Sequence, residues 1–469
     1  MSGEPPPRGR RLKRWAVFLL RWGIAVIGIW LVVNNINLRD HVIYENDAHQ
    51  AIEATVISTS GAPGSESFVV EGLADPIPRS RLLMPADRKH VRRASDGRQL
   101  EVIAVSPLAD ARASSTPSQV WVSENARGLL DRWVFRTLPG PFSPVSPATL
   151  EGGYRVEAEF PLVEIGLRRM LHEANTGWLL LSVGVIPLVY LITGYRWWLL
   201  LEAVGSTISL WLAMQINMVG AFYNTFMPGS TGGDVLKAYY AAKNTPNHRT
   251  QAVLSVVVDR AIGLLALIMM GGVAAACQWQ VERCRQVAMA SAAIVGALAL
   301  GIVLLGVTPI RKGLGLHALL RRLPMREKLS KVAGALRSYR SRPGLMLGTL
   351  AMSFPVHATV VVSALFAGWA FGLPLRWEYY WVVVPTVVLA GALPLSPQGA
   401  GVMEFFAILL TRPQGVTVGQ AVALTLSIRL VQIVWNLVGG ALVFFGDYHA
   451  PTAAEEKAME GEDNAATAS

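Results

Sequence analysis

LWLAMQINMVGAFYNTFMPGSTGGDVLKAYY, residues Leu210–Tyr240, decides how the rest of the chain is read. It starts as an apolar helix, meets Pro228-Gly229-Ser230-Thr231-Gly232-Gly233, and resumes with Asp234 and Lys237 among further apolar residues. Such a cluster cannot continue a helix, because proline has no amide proton to give and glycine loses the most backbone entropy when fixed. At membrane depth a broken helix is tolerated only where the freed backbone groups are buried in protein or line a wet cavity. Val388–Phe406, VLAGALPLSPQGAGVMEFF, has the same grammar. Pro228-x-Ser230-x-x-Gly233 aligns with Pro394-x-Ser396-x-x-Gly399, and a carboxylate follows each break, Asp234 after the first and Glu404 after the second. Two interrupted segments at corresponding places in two halves of a chain point to a transporter's binding site.

The membrane setting follows from composition. Of 469 residues, 52% are hydrophobic and 16% charged, with a mean hydropathy of +0.39, whereas charged residues make up about 25% of an ordinary soluble domain. The apolar residues come in runs long enough to span a bilayer, so the chain reads as a mainly α, polytopic membrane protein. Much of the net charge of +10 sits in two segments flanking apolar runs, Arg8–Arg14 and Ile310–Arg342. By the positive-inside rule these mark the cytoplasmic side, not a nucleic-acid partner. Cys277 and Cys284 lie close together at the end of a span; idle thiols are the commoner situation for such residues, a disulfide the alternative.

In chain order, residues 1–14 form a basic cytoplasmic tail and 15–37 a first membrane anchor. Its apolar run Trp15–Val33 ends in Asn34-Asn35-Ile36-Asn37 without a small-x-small cleavage pattern, so an uncleaved anchor is expected instead of a signal peptide. Residues 38–173 change to soluble character, with alternating runs at Ser67–Glu71, Gln99–Val105, Gln119–Ser123 and Tyr154–Phe160. They predict a small β-rich insert on the outer side. Its histidines, His41, His49 and His90, lack metal-ligand spacing, so a structural or partner-binding role is expected. Leu162–His172, LVEIGLRRMLH, reads either as an interfacial helix or as an extension of the next span.

Residues 174–446 form the membrane domain. Gly177–Leu201 crosses inward, Gln251–Ala276 outward, Ala288–Val307 inward, Leu345–Phe371 outward and Val418–Phe445 inward, giving six full crossings with Trp15–Val33. The first interrupted segment has cytoplasmic flanks on both sides, which predicts a re-entrant hairpin. The second, Tyr379–Leu410, dips from outside behind an aromatic anchor of Trp377, Tyr379, Tyr380 and Trp381. Opposed hairpins of this kind are what an inverted repeat produces. Residues 447–469 are an acidic, Ala-rich tail expected to be disordered, leaving both termini cytoplasmic.

A charge inside the bilayer costs about 2.5–3.5 kcal/mol on the insertion scale, so each one needs a reason. Asp259 and Arg260 interrupt VLSVVVDRAIGLLALIMM, and Ser255, Asp259 and Gly263 share a helical face. Glu404 follows the second break. Arg429 lies in LTLSIRLVQIVWNLVGG with Gln432 and Asn436 continuing its face, and Asn217 and Asn224 share a face of the first hairpin. Together these form a polar lining; alternatively Asp259, Arg260, Glu404 and Arg429 merely pair and lock helices together. Arg196, beside Trp197 and Trp198, either snorkels to the cytoplasmic headgroups or holds a lipid phosphate. Gly229–Lys237, GSTGGDVLK, lacks the Gly-Lys-Ser/Thr of a nucleotide loop. Backbone amides at its helix start attract an anion, and Lys237 with an arginine would complete a phosphate pocket. Asp234 either faces that pocket, favouring a cationic group or a proton, or caps the following helix.

Arg196–Leu200 (RWWLL), Asn224–Tyr240 (NTFMPGSTGGDVLKAYY), Val256–Leu267 (VVVDRAIGLLAL) and Leu393–Phe406 (LPLSPQGAGVMEFF), in this order, resemble the lysylphosphatidylglycerol synthase transmembrane-region family, also called flippase-like domain proteins, over Gly177–Phe445. The resemblance implies a lipid flippase or transporter of the bacterial cytoplasmic membrane. Members resemble the flippase half of the multiple-peptide-resistance proteins, which moves aminoacylated phosphatidylglycerol between leaflets; other relatives are connected with polyprenyl- or dolichol-phosphate sugar pathways. Full synthases also carry a soluble aminoacyl-tRNA-dependent transferase domain after the membrane part. Only the acidic tail follows Phe445 here, so that domain, and enzymatic activity, are not expected. The soluble insert departs from the family's usual pattern. The expected substrate-binding residues are Asn224, Ser230, Asp234, Lys237, Asp259, Arg260, Ser396, Gln398, Glu404 and Arg429, with no catalytic residue, metal, cofactor or nucleic acid. The expected partners are a membrane phospholipid or polyprenyl-phosphate-linked lipid and an envelope protein at the insert. Two other readings stand beside this one: an intramembrane transferase using Ser230, Ser396 or Asp234, and an envelope scaffold acting through the insert.

Overall fold

The computed structural model describes residues 37–62, 64–86, 91–94, 98–107, 116–123, 142–151, 161–226, 232–306, 342–393 and 396–446, with isolated positions besides. The expected first anchor, most of the basic loop, Ser230 and the two prolines at the breaks, Pro228 and Pro394, lie outside the described residues.

The insert is a ten-stranded antiparallel sheet: β1 His41–Glu45, β2 Ala51–Ser60, β3 Ser67–Val70, β4 Ile77–Pro78, β5 Leu82–Pro85, β6 Val91–Arg93, β7 Gln99–Val105, β8 Val120–Ser123, β9 Ser143–Val145 and β10 Val163–Glu164. The order is β4-β3-β2-β1-β5-β7-β8-β9, with β10 beside β1 and β6 beside β7. Successive side chains of a strand point to opposite faces, and here both faces are buried. Val42, Tyr44 and Leu82 pack with Phe68, Val70 and Ile77, while Ile43, Leu83, Ile103 and Trp121 form a separate cluster. Strands covered on both sides carry continuous apolar runs, which is why HVIYE and LLMP show no alternation. Bulges between Val56 and Ser58 and between Val102 and Ala104 add twist and bend. On the surface, the hydrogen bond from Arg79 holds the Glu66 carboxyl below the usual carboxylate pKa.

The insert begins and ends at one place. Asp40 Oδ1 accepts from the Gly166 amide at 2.8 Å and Oδ2 from Arg169 Nη1 at 2.8 Å, and the Leu167 amide donates to the Asn37 carbonyl at 2.8 Å. Bonds to Glu173 and Asp40 raise the Arg169 pKa. A Cβ on Gly166 would lie 2.4 Å from the Arg39 carbonyl carbon, so only glycine fits the junction. Leu162–His172 is therefore helical only in its second half. Val163–Glu164 pairs with β1, and the helix α1 covers only Leu167–Glu173, separated from the next span by Ala174 and Asn175.

The helices that follow are α2 Thr176–Gly184, α3 Pro187–Ala203, α4 Leu210–Phe226, α5 Gly232–Lys243, α6 Arg249–Cys277, α7 Glu282–Gly306, α8 Pro343–Ala370, α9 Trp377–Ala392, α10 Val402–Thr411 and α11 Val418–Phe445. Among the described residues, five stretches are long and apolar enough to cross a membrane: Thr176–Ala203, Arg249–Cys277, Glu282–Gly301, Pro343–Ala370 and Val418–Phe445. The first kinks at Pro187, which has no N–H for the Val183 carbonyl; the Trp435 indole of α11 donates to that carbonyl instead, at 2.8 Å.

The chain packs as two bodies. One gathers the sheet and α1 with residues up to 180, 365–377 and 399–427; the other holds 181–364, 378–398 and the residues from 428 on. In the second body small residues let helices touch backbone to backbone, the usual device where lipid removes the hydrophobic drive. A Cβ on Gly233 of α5 would sit 1.8 Å from the Gly220 carbonyl oxygen of α4, and one on Gly439 of α11 would sit 2.1 Å from the Met218 carbonyl oxygen. Ser182 and Ser363 donate to each other's carbonyls at 2.8 Å. Half of the apolar window of α6 is buried against 11% for α7, so α6 is the inner helix of this pair. The expected aromatic anchor is corrected in part. Tyr379 and Tyr380 are buried in the second body, whereas Trp377 is exposed. Cys277 and Cys284 are free thiols, the first exposed and the second buried.

Candidate functional site

α6 carries the centre of the site. Asp259, 7% exposed, accepts from two cations on neighbouring helices. From α3, Arg196 Nη2 lies 2.8 Å and Nε 2.9 Å from Oδ1, and Nη1 donates to Ser353 Oγ of α8 at 2.5 Å. From α5, Lys237 Nζ donates to Oδ2 at 3.3 Å and to Asn217 Oδ1 at 3.0 Å, with the Trp197 ring centroid 4.1 Å away. Trp197 is itself pinned by a bond from Nε1 to Ser255 Oγ at 3.1 Å. The shared face of Ser255, Asp259 and Gly263 thus holds the indole, the two cations and the guanidinium plane in turn, since Gly263 lies directly against Arg196. A buried ion pair offsets its desolvation cost only with good geometry and further hydrogen bonds. This carboxylate has both, but it balances only one of its two cations.

Asp234, in the first turn of α5, accepts from Arg260 Nε at 2.6 Å, with the arginine side chain 45% exposed. Asp234 therefore lies within its helix instead of capping it. Asp234, Lys237, Asp259, Arg260 and Arg196 line one cavity of about 380 Å³ in the second body, built from residues of α3, α4, α5, α6, α8, α9 and α11. That volume falls within the usual range of small-molecule sites, about 300–1,000 Å³. His357 lines it too, with Nε2–H donating to the Gly263 carbonyl at 2.8 Å.

A polar chain leads from the cavity toward the breaks. Tyr190 donates to Asn436 Oδ1 at 2.6 Å, and Asn436 Nδ2 donates to Thr225 Oγ1 at 2.5 Å. Gln398, held at φ +49° in the turn of the second interrupted segment, donates to the Thr225 carbonyl at the end of α4. The two interrupted segments therefore meet at Thr225 and Gln398. On the return side, Asn224 Oδ1 accepts from the Gly233 amide at 2.9 Å and staples α4 to α5.

Of the residues singled out from sequence, Asn224, Asp234, Lys237, Asp259 and Arg260 line the cavity. Ser396 is buried with no hydrogen-bond partner for its hydroxyl among the described residues, and Arg429 is not among the lining residues. Glu404 belongs to the first body, where Oε2 accepts from the Gly401 amide at 2.8 Å and closes the start of α10, and Thr425 donates to Oε1 at 3.2 Å. Arg196 does not snorkel. It is 5% exposed and committed to Asp259 and Ser353, because its position on α3 turns it inward between α6 and α8. Tyr190, Ser353 and His357 carried no sequence signal of membership beyond being polar groups in apolar helices.

Residues 166–440 match the family model described as the lysylphosphatidylglycerol synthase TM region. With five stretches among the described residues able to span a bilayer, the match makes the chain a multi-pass membrane protein with a lipid-related setting. No curated protein matches it.

Proposed function

The chain belongs to the lysylphosphatidylglycerol synthase TM-region family, and from that premise we propose that it moves a phosphate-bearing lipid headgroup across a bacterial cytoplasmic membrane through the cavity of its second body. The observation that carries this is the buried cluster of Arg196, Asp259 and Lys237. An uncompensated cation at membrane depth is costly, and a phosphate entering the cavity supplies the missing negative charge. The acyl chains stay in the bilayer while the head passes.

In this reading the two interrupted segments are re-entrant hairpins of an inverted repeat entering from opposite faces. The junction of Thr225 with Gln398 supports it. Access alternates as one repeat rocks against the other, with the basic segments and the region after Phe445 on the cytoplasmic side. The sequence holds no nucleotide-binding motif, so movement is downhill or ion-coupled, and the chain transports without transforming its lipid. To test this, the protein is reconstituted with fluorescent phosphatidylglycerol and leaflet exchange is followed by quenching of the outer leaflet. Exchange faster than in protein-free vesicles is expected, and equal rates would reject transport. In a strain lacking the protein, an intact but misplaced lipid is expected; a missing lipid product would favour a transferase.

A further inference from the structure

Both carboxylates that line the cavity are committed. Asp259 gives one oxygen to Arg196 and the other to Lys237, and Asp234 pairs with Arg260 at 2.6 Å. Among the described lining residues three basic side chains, Arg196, Lys237 and Arg260, thus face two carboxylates. His357, which donates Nε2–H to the Gly263 carbonyl, brings no negative charge. The other polar lining is neutral. The Gln432 side-chain amide and Asn224 Nδ2 have no protein partner among the described residues, and amides of this kind bond hydroxyl groups.

We infer that the cavity selects an anionic phosphodiester head bearing hydroxyls and no amine, the class of phosphatidylglycerol, and discriminates against the aminoacylated head that the family description names. A phosphodiester with a polyol brings one negative charge to a wall with one positive charge in excess. A lysyl ester of the same head brings two ammonium groups for that one phosphate, so it adds positive charge to positive. Its ammoniums find a carboxylate only by displacing Arg260 from the half-exposed Asp234 or a cation from the buried Asp259, and removing a partner from the latter, buried pair is strongly destabilising. Like-charge juxtaposition is how sites reject wrong ligands.

The inference rests on the transport reading only for the source of the ligand. Purified full-length protein is titrated with dihexanoyl-phosphatidylglycerol and with its lysyl ester, and thermal stabilisation is read as a saturable binding curve. Phosphatidylglycerol is expected to bind about tenfold tighter or better. Lys237→Met, which removes the excess charge, is expected to bring that ratio toward one; Arg260→Gln, at the half-exposed rim, gives the same readout if the first variant fails to fold. Equal binding, tighter binding of the lysyl ester, or no saturable binding of either overturns the inference. Competition by glycerol 1-phosphate supports recognition of the head alone, and its failure to compete supports recognition of the head on its lipid; the ranking stands in both cases. If the ranking holds while vesicles show no leaflet exchange, transport falls and the selectivity remains. If the lysyl lipid exchanges faster, the selectivity falls and transport remains.

Discussion

Asp259 is the residue on which the site turns. Replacing it with asparagine keeps the shape and leaves Arg196 and Lys237 without their shared counter-charge. Breaking one side of a buried pair costs about 3–5 kcal/mol, so Asp259→Asn is expected to lower unfolding stability by that order in detergent. Adding Lys237→Met is expected to restore part of it, since residues in one network are not additive. Wild-type stability of the single variant would mean the three charges are not coupled. The spacing of Ser255, Asp259 and Gly263, and the position of Lys237 after the break, were readable from sequence because helix periodicity fixes a face. Arg196 was not readable, because it stands 63 residues from its partner and its flanking tryptophans imitate an interfacial anchor. Glu404 shows the converse: a carboxylate three residues into a helix, after a glycine, closes its own helix start.

At the level of elements, the α4–α5 pair depends on backbone contact at Gly220 and Gly233. Gly233→Ala is expected to abolish folded protein, because the added carbon would overlap the Gly220 carbonyl at 1.8 Å and both partners are backbone or nearby helix. Gly296→Ala on α7, where nothing lies within 4 Å, is the matched control and is expected to leave monodispersity and Tm unchanged. Equal yields from the two variants would show that the hairpin is not closed this tightly. The interruption between α4 and α5 was legible in the Pro/Gly cluster, whereas the strands β1 and β5 were not, because burial on both faces erases the period of two. The first half of Leu162–His172 misled for a related reason. Its apolar spacing fits a helix, but Val163 and Glu164 are captured by β1, a partner more than a hundred residues away that no local pattern announces.

Across the whole molecule, five expected crossings coincide with helices able to span a bilayer, and the insert falls where composition changes. Charge asymmetry and long apolar runs made that much visible, whereas the seam that joins the two ends of the insert depends on contacts distant in sequence. Gly166→Ala is expected to open this seam and to speed proteolysis within residues 38–173 of the full chain, since the new carbon would meet Arg39 backbone at 2.4 Å. Arg169→Ala removes two partly exposed ion pairs, with Asp40 and Glu173, each worth less than about 1 kcal/mol, and is expected to leave the cleavage rate unchanged. The central claim is that the buried, positively charged cavity is the passage for a lipid head. Its most direct test is the leaflet-exchange rate of phosphatidylglycerol with Lys237→Met against wild type, at equal amounts of folded protein per vesicle. The account predicts a fall of about tenfold or more, roughly 1.4 kcal/mol in the barrier; an unchanged rate with protein demonstrably folded would contradict it.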